Sequence, residues 1–215
     1  MDKVAVLGSG EVGKTLANGF LGLGHAVMRG SRDPAKLAEW AGQSGPNAST
    51  GTFAEAAQWG DLVVLAVKGA AAESVLDLCG ADALAGKVVI DTTNPLAATP
   101  PVNGVLAFFT TPDQSLMERL QVHAPAARFV KAFSSVGHAL MVKPRLRDGP
   151  PTMFICGNDA AARSQVQAVL MRFGWEVEDL GAAEAARVIE PLCILWCIPG
   201  FLRNDWQHAF KVLRA

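Results

Sequence analysis

Residues 3–8, KVAVLG, make a short apolar run rich in β-branched side chains, and after a glycine turn TLANGFLGLG places its apolar positions at helical spacing. The pattern predicts strand, tight turn and helix. The same unit then recurs. HAVMRG reads as strand, PAKLAEWAG as helix with Pro34 in its first turn, STGTF as a short extended piece, FAEAAQW as helix and DLVVLAV as buried strand. AAAESVLDLC, PDQSLMERLQVH and NDAAARSQVQAVLMRFG read as helices, the last opened by an Asn or Asp cap. KVVIDTT, RFVKAF, TMFICG and WEVEDLG read as strands, and after residue 181 the pattern is purely helical, broken by Pro199 and Gly200.

Strands apolar at every position are buried on both faces, and their alternation with helices makes the sheet parallel. The expected fold is α/β, a Rossmann-type, doubly wound and mainly parallel sheet with a short helical C-terminal extension. Its strand order should be 3-2-1-4-5-6, with further strands added beyond the sixth. Residues 1–180 form the expected dinucleotide-binding domain. Residues 181–215 form the extension, packed on the same domain as a pocket wall and dimer surface.

The chain has 215 residues, half of them hydrophobic and 18% charged, with a formal net charge of −1. This fits one globular domain and gives no reason to expect a nucleic acid or an anionic membrane as partner. MDKVAVLG shows no export signal, and the apolar stretch at 191–202 is shorter than the ~20 residues of a membrane helix. A cytoplasmic location is therefore expected. Cys79, Cys156, Cys193 and Cys197 lack paired CxxC spacing, so they are read as free thiols, and the apolar neighbours of Cys193 and Cys197 favour packing over a metal site.

GSGEVG, Gly8 to Gly13, fits G-x-G-x-x-G directly after the first strand and before the first helix. Gly8 permits the turn, Gly10 lets a pyrophosphate approach the backbone, and Gly13 lets helix and sheet pack. Ser9, Glu11 and Val12 complete a loop whose N–H groups face an anion. An NAD site would place an acid about 20 residues on, at the tip of the second strand. Here the tip carries Ser31 and Arg32, followed by Lys36. A hydroxyl and a guanidinium satisfy a 2′-phosphate that a carboxylate would repel, so NADP is the expected ligand. Asp33 is read as a cap for the helix beginning at Pro34.

Ligands on such sheets cross the carboxyl ends of the strands, which selects the loops after strands four, five and six. Val67 and Lys68 are placed near the pyrophosphate and ribose, Asn94 at the nicotinamide ribose or carboxamide, and Ala132 where a small side chain admits the ring. No catalytic residue is assigned, although His138 lies on a strand-end loop. The chain contains no Tyr, which excludes a Tyr-x-x-x-Lys proton relay. Hydride passage from nicotinamide to a flavin or deazaflavin needs aligned rings more than it needs an acid or base.

VAVLGSGEVGKTLA, GHAVMRGSRDPAK, DTTNPL, RFVKAFSSV, FICGND and AARVIEPL follow one another in this order over nearly the whole chain. The sequence resembles the F420-dependent NADP oxidoreductases and is similar to the reductase domain of the six-transmembrane metalloreductases. The resemblance implies an NADP-binding Rossmann domain whose helical C-terminal piece helps form a second-cofactor pocket for F420, FMN or FAD. It also implies a homodimer. By motif match it gives Ser9 to Val12, Ser31, Arg32 and Lys36 the NADP roles and puts Asn94 and Ala132 near the nicotinamide end. Two other functions fit the residues: reduction of a small imine or carbonyl compound, and a non-catalytic NADP-sensing module.

Overall fold

The computed structural model describes residues Asp2–Ala215. Its strands are β1 (Lys3–Leu7), β2 (Ala26–Gly30), β3 (Ala48–Gly51), β4 (Leu62–Leu65), β5 (Val88–Asp91), β6 (Arg128–Lys131), β7 (Thr152–Ile155) and β8 (Glu176–Asp179). The helices are α1 (Glu11–Gly22), α2 (Ala38–Gln43), α3 (Phe53–Trp59), α4 (Ala72–Cys79), α5 (Ala81–Leu84), α6 (Leu116–His123), α7 (Ala160–Arg172), α8 (Ala186–Ile189) and α9 (Leu192–Arg203).

The first six strands form one parallel sheet in the order β3-β2-β1-β4-β5-β6, the expected Rossmann arrangement. Successive strand residues point to opposite faces, so β1 sends Val4 and Val6 into one core with Leu16, Phe20 and Phe173, and Ala5 and Leu7 into the other with Phe53, Leu76 and Phe129. Both faces are therefore dry. Register leaves the carboxyl ends flush, with Leu7 opposite Leu65, Leu65 opposite Asp91 and Asp91 opposite Lys131.

Two expectations need correction. The strands beyond the sixth do not simply extend the sheet: β7 and β8 form a parallel pair of their own, joined to β6 by a single antiparallel bridge between Lys131 and Cys156. The helical ending also stops earlier than expected. Pro199 sits inside α9 without ending it, Asn204 closes the helix in the left-handed conformation, and residues 204–215 are not helical. They run back along β7, where Thr152 N–H donates to the Phe210 carbonyl at 2.9 Å and Val212 N–H to Thr152 Oγ1 at 3.0 Å. Trp206 folds against Gly200, where even a Cβ would come within 2.3 Å of its ring.

Helical structure is nearly continuous over Ala183–Arg203, 21 residues with a mean hydropathy of 1.6 over the best 18-residue window, long and apolar enough by length and composition to cross a membrane. That run is longer than the 191–202 stretch seen in sequence. Only 39% of the window is buried, but it contains Glu190, which is 1% exposed and tied by an ion pair to the sheet. Arg187 adds a second tie, donating to Glu118 of α6, whose carboxyl is held down at about 2 chiefly by that contact against the opposing effect of burial.

Candidate functional site

The carboxyl ends of β1, β2 and β4 open into a cleft of about 880 Å³. Gly8 begins it. Its φ of +147° is one that side chains avoid, and a Cβ there would lie 2.1 Å from the Ala66 carbonyl oxygen at the end of β4. Gly10 has ordinary extended backbone as the N-cap of α1 and open space where a Cβ would be, so its glycine serves whatever occupies that space. No side chain caps α1, which leaves first-turn N–H groups free for an anion. Gly13 stands behind the loop, with only 2.8 Å between a Cβ and the Gly8 carbonyl oxygen.

Sequence reasoning missed Arg29. Its side chain leaves β2 inward and is 2% exposed, with Nη2 donating to the Gly8 and Gly10 carbonyls at 3.1 and 3.2 Å. The guanidinium carbon lies 5.0 Å from the Trp40 ring centroid, and Trp40 is itself fixed by its Nε1–H on Asn18 Oδ1 at 2.8 Å. Burial lowers the Arg29 pKa, and Glu11 opposes that shift. Arg29 thus ties the Gly8 and Gly10 carbonyls together and puts positive charge behind the loop. A charged residue inside an otherwise apolar parallel strand was the available signal.

Ser9, Glu11, Val12, Ser31, Arg32, Lys36, Val67 and Lys68 all line the cleft with Gly8 and Gly10. Ser31 is buried, held by its N–H on the Gly51 carbonyl at 3.0 Å, while Arg32 and Lys36 are exposed at the rim. Asp33 occupies the cap position of a short 3₁₀ turn, Pro34–Leu37, but makes no side-chain cap. This corrects the cap reading: its carboxylate lies 3.8 Å from Lys36 Nζ, and its N–H donates to Ser31 Oγ at 3.2 Å. Thr92, not singled out in the sequence, also borders the cleft, its hydroxyl donating to the Leu65 carbonyl at 2.9 Å.

Gly13, Asn94 and Ala132 lie outside the lining. Asn94 Nδ2 donates to the Ser134 carbonyl at 2.8 Å, which fixes the orientation of the amide, because a carbonyl can only accept. Oδ1 is then a buried acceptor with no partner. Gly69 lets the loop after β4 press against this segment, since a Cβ there would be 2.0 Å from the Asn94 carbonyl oxygen. Ala132 is wholly buried in the core, its N–H on the Asp91 carbonyl at 3.0 Å, so its methyl group does not face the cleft. The next residue, Phe133, has a left-handed φ of 62°, a strained value for an aromatic residue that turns the chain so that the Ser134 carbonyl reaches Asn94. His138 is exposed.

The C-terminal segment covers the loop after β6. Trp196 is 7% exposed and packs on Gly137, where a Cβ would approach its ring to 2.7 Å. Its Nε1–H donates to the His208 carbonyl at 2.8 Å, and the two rings stack at 5.2 Å. Trp206 lies 5.6 Å from the Trp196 ring and 5.4 Å from the Phe201 ring, so these aromatic residues make contacts within the extension. The outward face of α8 and α9 instead shows Val188, Leu195, Phe201 and Leu202. Asp91, Lys131 and Glu190 form a fully buried charge cluster beneath the ends of β5 and β6 that the sequence reading also missed. All four cysteines are free, and burial pushes Cys79 and Cys156 up to about 12.

The family described as NADP oxidoreductase, coenzyme F420-dependent, matches residues 3–95. A provisionally assigned F420-dependent NADP reductase from Arthrobacter sp. FB24 is 34% identical, with each chain covered in full and a TM-score of 0.93. Metalloreductase STEAP3 from Rattus norvegicus is 33% identical over 93% of this chain and 39% of its own length, so the chain spans about two fifths of that curated relative. A reductive aminase from Aspergillus terreus, solved with NADPH and ethyl levulinate, shares the fold at 21% identity and a TM-score of 0.68, covering 95% of this chain and 63% of that one. With the glycine loop, the strand order and a match that runs end to end, this chain belongs to the F420-dependent NADP oxidoreductase family.

Proposed function

We propose that this protein passes hydride between NADP(H), bound in the cleft, and a flavin or deazaflavin acceptor of the F420, FMN or FAD type. The observation that carries the NADP half is the rim: Ser31, Arg32 and Lys36 gather at the end of β2, where two cations outnumber the one carboxylate, Asp33, that also lines the cleft 3.8 Å from Lys36 Nζ. Gly8 to Gly13 would hold the pyrophosphate, with Gly10 giving it room and Arg29 supporting the loop from behind. Val67, Lys68 and Thr92 would border the path toward the nicotinamide end. Asn94 Oδ1, buried and without a donor, suits a ribose hydroxyl or the carboxamide N–H₂. Bound there, NADPH supplies the hydride.

Two features favour a ring-to-ring acceptor. The chain has no Tyr, and the polar side chains after β5 and β6 are mainly hydroxyl and amide groups, suited to orienting rings rather than moving protons. α9 and the loop at 95–114 would form the acceptor wall. There Asn103 and Gly104 turn a tight hairpin whose Val102 and Val105 exchange two 3.0 Å hydrogen bonds, with Gly104 seated against Leu202. We place the protein in the cytoplasm as a homodimer that uses the outward apolar face of α9, and sedimentation showing a monomer at micromolar concentration would refute the dimer.

Mixing the protein with NADPH and then with F420, FMN, FAD or riboflavin, while following the nicotinamide absorbance, tests the acceptor class. Turnover with one of these ring systems is expected. Tight NADPH binding with no turnover by any of them would contradict it. Arg32→Ala should weaken NADPH binding by about 10- to 150-fold, the worth of one charged hydrogen bond, and leave NADH unchanged. Equal loss of both cofactors would remove the 2′-phosphate role.

A further inference from the structure

Asp91, Lys131 and Glu190 bring two carboxylates and one ammonium into the interior, with side chains at most 2% exposed. Lys131 Nζ lies 2.7 Å from Asp91 Oδ2 and 2.9 Å from Glu190 Oε1, and donates to the Thr93 carbonyl at 2.8 Å. Asp91 Oδ1 accepts from Thr93 N–H at 2.9 Å and from its hydroxyl at 2.7 Å. Glu190 Oε1 and Oε2 accept from Met117 and Leu116 N–H, each at 3.0 Å. Asp91 Oδ1 and both Glu190 oxygens thus accept hydrogen bonds, while Asp91 Oδ2 lies against the ammonium as an ion contact without hydrogen-bond geometry. Burial opposes the Lys131 charge, but the two carboxylates outweigh it and hold its pKa above the usual lysine value. The neighbouring Cys156 and Cys193 thiols are pushed up, toward the neutral form, so they add no negative charge of their own.

The cluster therefore carries one more negative charge than positive. Only part of it is offset, because the N-terminus of α6 that meets Glu190 contributes about half a positive charge. The position matters as much as the sum. Asp91 ends β5 and Lys131 ends β6, opposite each other in register, at the edge of the sheet where dinucleotides lie. Asp91 directly precedes the cleft-lining Thr92, and three residues on is Asn94 with its unpartnered acceptor, its backbone no more than about 10 Å from that of Asp91.

Nicotinamide is the one part of the cofactor whose charge changes with redox state, cationic when oxidised and neutral when reduced. We propose that the Asp91–Lys131–Glu190 cluster is a charge-selecting element that makes this site hold NADP⁺ more tightly than NADPH, and so makes bound NADPH the stronger hydride donor. The inference rests on the NADP reading of the cleft. A net charge of about half to one unit acting over about 10 Å in a medium of effective dielectric constant near 20 corresponds to about a 4- to 15-fold preference. For a two-electron couple that lowers the bound potential by about 20–35 mV.

Calorimetric titration of the full chain with NADP⁺ and with NADPH reads the preference directly. The unaltered protein should bind NADP⁺ about 4- to 15-fold more tightly. Glu190→Gln and Asp91→Asn each remove one negative charge through different contacts, and each should bring the ratio of the two dissociation constants close to one. A purely structural cluster would weaken both forms alike and leave their ratio intact. NADPH bound as tightly as NADP⁺ by the unaltered protein, or a ratio unchanged in a folded variant, overturns this inference while leaving the cofactor reading in place. Binding of neither form overturns the cofactor reading and this inference with it.

Discussion

Gly8→Ala should cost the protein its stability, and Gly10→Ala should cost it only its cofactor. At Gly8 the added methyl group meets the Ala66 carbonyl at 2.1 Å and must adopt a φ of +147°, so either the ends of β1 and β4 separate or the loop is rebuilt. Overpacking and backbone strain together cost about 2–5 kcal/mol. Any shift of the Gly8 carbonyl also breaks its bond to Arg29. At Gly10 the methyl group enters empty space with φ at −79°, and thermal unfolding should match the unaltered protein. That space is where the pyrophosphate would approach the amides, so NADPH affinity should fall by about 100-fold, the loss of one or two charged hydrogen bonds. Melting curves with and without NADPH separate the two outcomes. A Gly10→Ala protein that NADPH still stabilises fully would mean that the loop does not hold the pyrophosphate.

The second large effect belongs to Lys131→Met, which leaves Asp91 and Glu190 facing each other without their cation. Breaking a buried charge network in this way costs about 3–5 kcal/mol, and for a domain of this size about 10 °C in melting temperature. Melting curves of the unaltered and the Lys131→Met proteins check this, and an unchanged melting temperature would mean that the ammonium does not hold the two carboxylates in the fold.

The parts of this fold that could be read from sequence are those in which local pattern and tertiary role coincide. β1 from Val4 to Leu7, β4, and β5 from Val88 to Ile90 are buried on both faces, so these stretches are apolar and the strand order follows. The glycine loop and the gathering of Ser31, Arg32 and Lys36 at one cleft were legible because turn chemistry acts within a few residues. The side chains that hold the site from behind were not. Arg29, Asp91 and Lys131 each sit in or end an apolar strand, and the partners that tie them across the fold lie from 19 residues away (Gly10 from Arg29) to 59 (Glu190 from Lys131), in contacts that sequence spacing does not encode. A hint existed: Asp91 and Lys131 end neighbouring parallel strands with opposite charge. The return of residues 204–215 along β7 depends on Trp206 meeting Gly200 and on Thr152 meeting Phe210, so no local pattern announces it. Ala132 shows the converse error: its small size was read as room for a ring, whereas it is small because the core closes around it.

The central claim is that the end of β2 is built for a phosphoryl group on the adenosine ribose. Calorimetry of the unaltered protein with NADP⁺ and with NAD⁺ under identical salt conditions tests it most directly. The account predicts that NADP⁺ binds at least about tenfold more tightly, with the difference shrinking as ionic strength rises because Arg32 and Lys36 are exposed. Equal affinity for the two dinucleotides at low salt would contradict it.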